Sequence, residues 1–277
     1  MEKIIKYAPH KFEAYGEEEI QAVVDCLRTG WLTEYGGTRV KEFEEKIAKK
    51  FGKKYGVFVN SGSSANMLAL ACLKLPKNSE VVTPACTFST TLAPIIQLGL
   101  KPVFVDVGLN TYVPHFWDVV EAITPNTKAI IIPNLIGNKP NWSGIKQLLK
   151  AKGREDIILI EDSADTITFT DESDISTTSF YASHIITAGG SGGMVMFNNK
   201  KLRDIALQFR DWGRMGDNSE LISDRFNHIV DGIPYDHKFL YDVLDKNHLY
   251  VNYSEIEDID YQVSQTDKKL NYDFYKM

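Results

Sequence analysis

Three short stretches bring together residue types that can do chemistry. The first is Ser61-Gly62-Ser63-Ser64. Small residues let a backbone approach a ligand, and N–H groups at a helix start attract an anion. The same serines are good helix caps, so a phosphate site and a plain cap both remain open. The second is Glu161-Asp162, with Asp165 close behind. A carboxylate where a strand ends can meet a ligand or cap the next helix. The third is 176–193, where Ser179 and His184 precede Gly189, Gly190, Gly192 and Gly193. An imidazole moves protons near neutrality. The glycines permit positive φ or close backbone approach. A lone histidine can also be an ordinary surface or core residue.

These stretches need elements to hold them. Apolar residues recur at helical spacing over 17–29 (Ile20, Val23, Val24, Leu27) and 39–51 (Val40, Phe43, Ile47, Phe51), each followed by glycine. Tyr55-Gly56-Val57-Phe58-Val59 reads as a short buried strand running into the first serine stretch, with a helix over 67–75. Further strands are expected at 80–83, 102–105, 128–132 and 156–160, and further helices at 90–98, 116–123 and 143–152. Alternating apolar strands and helices predict an α/β fold with a mostly parallel sheet covered on both faces. Ligands in such sheets sit at the carboxyl ends of strands.

Composition removes several alternatives. The chain has 277 residues, 43% hydrophobic and 25% charged, enough for a buried core. Its 31 Lys+Arg against 37 Asp+Glu give a net charge of −6, and no basic run exceeds short pairs such as Lys49-Lys50. That is a poor surface for nucleic acid, whose phosphates need clustered cations. No apolar run approaches the roughly 20 residues of a membrane helix. Met1-Glu2-Lys3-Ile4 opens without the apolar stretch of a signal peptide, so a cytoplasmic chain is expected. Cys26, Cys72 and Cys86 lack metal-site spacing and read as free thiols; no metal site is expected.

Taken together, the stretches resemble the sugar aminotransferase and dehydratase family of vitamin B6 enzymes. The matching segments are Gly30-Trp31-Leu32-Thr33 with Gly36, 60–66, 84–91, Val105-Asp106-Val107, Asn134-Leu135-Ile136-Gly137-Asn138, Ile160-Glu161-Asp162, 179–193 and Arg210-Asp211-Trp212-Gly213. The resemblance runs from residue 8 to about 241. It implies the aspartate-aminotransferase-like (fold type I) large domain, a three-layer α/β structure, and a pyridoxal or pyridoxamine 5′-phosphate cofactor. It also implies roles. Gly62, Ser63 and Ser179 would hold the cofactor phosphate, with Ser64 also among the cofactor-binding residues. Phe88 would stack on the ring, and Asp162 would pair with the ring nitrogen. Asn66, Asn134 and Asp165 would lie nearby. A homodimer is expected by the same resemblance.

One departure bears on the reaction. Aminotransferase members carry, within 180–193, a lysine that anchors the cofactor covalently; here Ser183 before and Gly192-Gly193 after align His184 with it. Imidazole cannot make that anchor, but it can act as acid and base. The same exchange marks the dehydratases that remove the C3 hydroxyl of nucleotide-linked 4-keto-6-deoxyhexoses, on the way to the 3,6-dideoxysugars of lipopolysaccharide O-antigens. Asn134-Leu135-Ile136-Gly137-Asn138 and Asp165 also resemble that subset. One branch of it holds an iron–sulfur cluster through cysteines after the Arg-Asp-Trp-Gly segment. Arg214-Met215-Gly216-Asp217-Asn218 contains none, so the metal-free branch, with glutamate as amino donor, is expected. The other readings are a nucleotide-sugar aminotransferase-like protein and a truncated, inactive fragment.

The last reading rests on the tail. The resemblance fades after 234–241, where family members continue into a small C-terminal domain. Residues 242–277 are rich in Asp, Asn, Tyr and Lys without sustained period. The expectation is therefore a cofactor-binding large domain over 1–241 and an atypical tail over 242–277, with a frameshift or early stop as one origin.

Overall fold

The computed structural model describes residues 15–29 and 38–210. The segments read from sequence at 1–14 and 30–37, and everything beyond 210, including the tail 242–277, lie outside the described residues.

Helix α1 (Glu17–Thr29) opens on Glu17, Glu18 and Glu19 and closes on Arg28, charges that suit the helix dipole. Its Ile20, Val23 and Leu27 are exposed. Then come α2 (Thr38–Lys50), β1 (Tyr55–Val59), α3 (Gly62–Ala71), β2 (Glu80–Pro84), α4 (Ser89–Gln97) and β3 (Lys101–Val105). The chain continues through α5 (Phe116–Glu121), β4 (Thr127–Pro133), a 3-10 turn (Leu135–Gly137) and α6 (Trp142–Ala151). It ends with β5 (Ile158–Ser163), β6 (Ile175–Ser179), β7 (Gly193–Phe197) and α7 (Lys200–Arg210).

The strands form one seven-stranded sheet in the order β1-β7-β6-β5-β4-β2-β3. From β6 to β3 every pairing is parallel, while β7 runs antiparallel to both β1 and β6. Strand β1 therefore points the same way as β6. The carboxyl ends of all strands but β7, and the start of β7, share one edge of the sheet. Alternation along β4 explains its unbroken apolar run. Ile131 packs with Ala65, Leu70, Ile95 and Leu207 from α3, α4 and α7. Ile130 and Ile132 pack with Val119, Trp142, Ile145 and Leu149 from α5 and α6. Successive side chains enter opposite layers, so both must be apolar. On the second face, α2 and the turn that follows it cover β7 through Ile47, Phe51, Met194 and Met196.

The expected layers are present, with corrections. Helix α3 starts at Gly62, five residues before the expected 67, because Ser61 accepts the Ser64 N–H at 3.1 Å and caps it. Strand β5 is Ile158–Ser163, not 156–160, so Glu161 and Asp162 lie within it. Strands β6 and β7 and helix α7 were not anticipated.

Candidate active site

The shared edge holds a cavity of about 480 Å³, within the range of small-molecule sites. Its walls come from Ser61, Gly62, Ser63 and Asn66 at α3, Phe88, Thr90 and Thr91 at α4, and Pro133, Asn134 and Leu135 after β4. Asp162, Ala164 and Asp165 from β5 and its loop complete it with Ser179, Tyr181 and His184. All residues anticipated at the site line it except Ser64. That residue is occupied within the cap, its N–H and hydroxyl both at 3.1 Å from Ser61 Oγ.

The first wall is the start of α3, whose leading N–H groups have no partner within the helix. Gly62 is tight here: a Cβ on it would lie 2.8 Å from Ser179 Cβ. Gly193 is tighter still, since its Cβ would enter the Ser61 carbonyl. The two glycines let α3, β6 and β7 converge, leaving a concave, hydroxyl-edged helix terminus.

The floor is Asp162. Its Oδ2 accepts from Asn66 Nδ2 and Thr91 Oγ1, each at 2.8 Å, and Oδ1 accepts from the Ala164 N–H at 3.3 Å. Thr177 Oγ1 donates to Asn66 Oδ1 at 2.6 Å, which fixes the Asn66 amide with its donors toward the carboxylate. Burial pushes the Asp162 carboxyl above its ordinary range, against the pull of the Thr91 and Asn66 hydrogen bonds. A cation facing Asp162 would relieve that cost.

On another wall, His184 Nε2 lies 3.9 Å from Asp165 Oδ1. The Tyr181 ring meets the imidazole edge-on at 5.9 Å. Asp165 Oδ2 also accepts from the Ile136 N–H at 3.2 Å. Ile136 sits at φ 55°, ψ 28°, a left-handed conformation that a β-branched residue rarely adopts. Asp165 thus braces a strained turn and faces the histidine at once.

Asn134, 1% exposed, closes the cavity beside Asp162. Its Nδ2 is within reach of Glu161 Oε1 (2.9 Å), Ser163 Oγ (2.7 Å) and Thr166 Oγ1 (3.1 Å). Its Oδ1 is buried without a partner. Sequence reasoning gave no role to Thr91, Tyr181 or Thr166. Each lies within a few residues of a marked position, but only the fold shows its partner. The described residues hold no cluster of metal-ligating side chains and no helix long and apolar enough to cross a membrane. Among the described residues no disulfide joins Cys26, Cys72 or Cys86.

Residues 13–232 match a family model described as the DegT/DnrJ/EryC1/StrS aminotransferase family. The lipopolysaccharide biosynthesis protein RfbH of Salmonella typhimurium is 37% identical over 262 residues, covering 86% of this chain and 58% of that protein. GDP-4-keto-6-deoxy-D-mannose 3-dehydratase of Escherichia coli O55:H7 is 37% identical over 219 residues, covering 74% and 55%. A solved E. coli GDP-4-keto-6-deoxy-D-mannose-3-dehydratase with bound hydrated PLP superposes with a TM-score of 0.68 at 31% identity, covering 84% of this chain and 60% of that one. The chain thus spans only 55–58% of the length of these two curated relatives.

Proposed function

Because the chain belongs to the DegT/DnrJ/EryC1/StrS aminotransferase family, we propose that it is a pyridoxamine-phosphate-dependent sugar 3-dehydratase. Its substrate is a nucleotide-linked 4-keto-6-deoxyhexose, from which the C3 hydroxyl is removed. The carrying observation is the lining of the cavity. It holds one histidine and two aspartates, and no lysine is among the described residues that line it.

The site's own features fit such a cofactor. The α3 terminus, with a cradle that a Cβ at Gly62 would fill, suits a phosphate. Buried Asp162 suits a protonated ring nitrogen. When bound, the cofactor supplies an electron sink through its pyridinium ring. The chain does the rest. Ser63 and Ser179 orient the phosphate, while Phe88 covers a face of the ring. Asp162 holds the proton on the ring nitrogen. His184 takes and returns a proton at Nε2, with the Asp165 carboxylate stabilising the charged imidazole. Acid–base help of this kind contributes roughly 10²–10⁴-fold. Glutamate supplies the two electrons that replace the C3 oxygen, becoming 2-oxoglutarate and ammonia. The same reading has the chain act in the cytoplasm as a homodimer, in the making of 3,6-dideoxysugars.

The test incubates the full chain with pyridoxamine phosphate, glutamate and a GDP- or CDP-linked 4-keto-6-deoxyhexose, followed by mass spectrometry. A sugar lighter by one oxygen, absent with His184→Asn, is the expected product. An aminosugar would instead support transamination. Cofactor binding without turnover of either sugar would overturn the dehydratase reading, and absence of cofactor binding would support an inactive fragment.

A further inference from the structure

Pro94 is buried inside α4, beyond its first turn. A helix tolerates proline in its first turn. In the interior the ring withholds an N–H and crowds the carbonyl four residues back. That carbonyl belongs to Thr90. It is left without its α-helical partner and is pushed outward from the ladder. An interior proline weakens a helix, so its place here asks what the released carbonyl does.

The carbonyl meets Asn66. Asn66 Nδ2 donates to the Thr90 carbonyl at 3.4 Å and to Asp162 Oδ2 at 2.8 Å. Its Oδ1 accepts from Thr177 Oγ1 at 2.6 Å. Asn66 is 2% exposed, so its polar atoms need protein partners. An amide nitrogen carries two hydrogens. The Asp162 carboxylate takes one and the Thr90 carbonyl takes the other. A helix without the proline would keep that carbonyl for its own ladder.

We propose that Pro94 is a positioning residue for the floor of the cavity: by withholding its N–H it releases the Thr90 carbonyl to Asn66, and so fixes the amide that holds Asp162. Thr91, one residue on, donates to the same Asp162 Oδ2 at 2.8 Å. Helices α3 and α4 therefore both close on one carboxylate oxygen. The consequence for binding rests on the cofactor reading above and names a further determinant of it.

Pro94→Ala restores the N–H. The Thr90 carbonyl returns to the helix ladder, and one Asn66 hydrogen loses its acceptor. Without cofactor, the Asn66 side-chain amide should then exchange its hydrogens about three- to tenfold faster than in wild type, read by isotope-edited NMR. Pyridoxamine phosphate binding, read by fluorescence titration, should weaken by a similar factor, about three- to tenfold. In an Asn66→Ala background, where Thr91 still holds Asp162, Pro94→Ala should no longer change that affinity, while its effect on the melting temperature remains. Pro94→Val also restores the N–H and fills more space, so it serves if the alanine variant fails to fold. Unchanged amide exchange in the folded variant overturns the proposal. Faster exchange with unchanged affinity also overturns it, as does an equal affinity loss with and without Asn66. Wild-type protein that binds no pyridoxamine phosphate overturns the cofactor reading, and the amide exchange still decides whether Pro94 sets the Asn66 contact.

Discussion

Gly62→Ala tests whether the anion cradle is where the backbone places it. The added methyl would lie 2.8 Å from Ser179 Cβ, 3.3 Å from its Oγ and 3.5 Å from its Cα. Carbon atoms rest at about 3.5–4.0 Å, so α3 and β6 must separate by about 1 Å. The obstructing atom is a Cβ, which moves only with its backbone. That backbone is pinned on both sides by β5 and β7. Gly62 itself has no positive φ, so alanine adds crowding without backbone strain. Overpacking of this kind costs about 1–3 kcal/mol, which lowers the melting temperature of a chain this size by several degrees at ~2–4 °C per kcal/mol. If the terminus holds a phosphate, the same displacement loosens a charge-assisted hydrogen bond and weakens pyridoxamine phosphate binding by ~10–100-fold. Gly153→Ala is the control. It has positive φ (63°) and nothing within 4 Å, so it strains the backbone far from the cavity. It should destabilise by about 1 kcal/mol and leave cofactor affinity unchanged. Thermal melts and fluorescence titrations of both variants decide the matter. A Gly62→Ala protein with wild-type melting refutes the close approach; one that melts early but binds normally refutes the phosphate assignment.

Three further outcomes follow from the same geometry. Burial lowers the Lys53 ammonium from 10.5 to about 8. Between those values the unfolded chain binds more protons than the folded one, so this group adds stability as pH rises through that window, by up to ~3 kcal/mol. Urea unfolding at pH 7 to 10 should show that rise in wild type and a flatter profile in Lys53→Met. Asp162→Asn keeps the shape of the floor but removes its charge; it should weaken pyridoxamine phosphate binding at neutral pH by ~10-fold or more. Titration at unchanged melting temperature checks this, and undiminished affinity would count against the ring-nitrogen pairing. Ile136→Gly removes a strained left-handed residue that is 69% exposed. Strain relief of about 1–3 kcal/mol outweighs the entropy cost of glycine, about 0.5–1 kcal/mol, so the variant should melt at or above the wild-type temperature. A clear drop would show that the turn is held by the isoleucine side chain.

The apolar strands were legible because both faces of the sheet are covered: Val81-Val82 and Ile130-Ile131-Ile132 bury fully in opposite layers. Strand β6 was not, and its composition explains why. Ile175–Ser179 contains only one apolar residue, yet every position is buried. Its hydroxyls replace hydrophobicity with satisfied hydrogen bonds: Ser176 to Glu161, Thr177 to Asn66, and Thr178 to the Ser163 carbonyl. A pattern search for apolar runs cannot see a strand held in place by partners more than ten residues away. The site shows the same division. Gly62, Ser63, Asp162, Ser179 and His184 announced themselves by residue type. The residues that orient them, Thr91 and Thr177, look ordinary until the fold brings them to Asp162 and Asn66.

That division is sharpest in the pair Glu161-Asp162. As a sequence doublet it reads as one acidic feature at the end of a strand. Inside β5 the period of two sends the carboxylates to opposite faces, where they meet different demands. Asp162 opens onto the cavity, and its buried charge stays costly until a cation arrives. Glu161 is enclosed, its cost offset by the hydrogen bonds of Thr170, Ser176 and Asn134 and by the Lys53 charge. Asn134 touches both strand ends: its side chain donates to Glu161, and its N–H donates to the Asp162 carbonyl at 2.8 Å. The prediction peculiar to this arrangement is that Glu161→Gln and Asn134→Ala are non-additive in melting temperature, because they change the two partners of one buried hydrogen bond, whereas Glu161→Gln and Gly62→Ala, which share no contact, add.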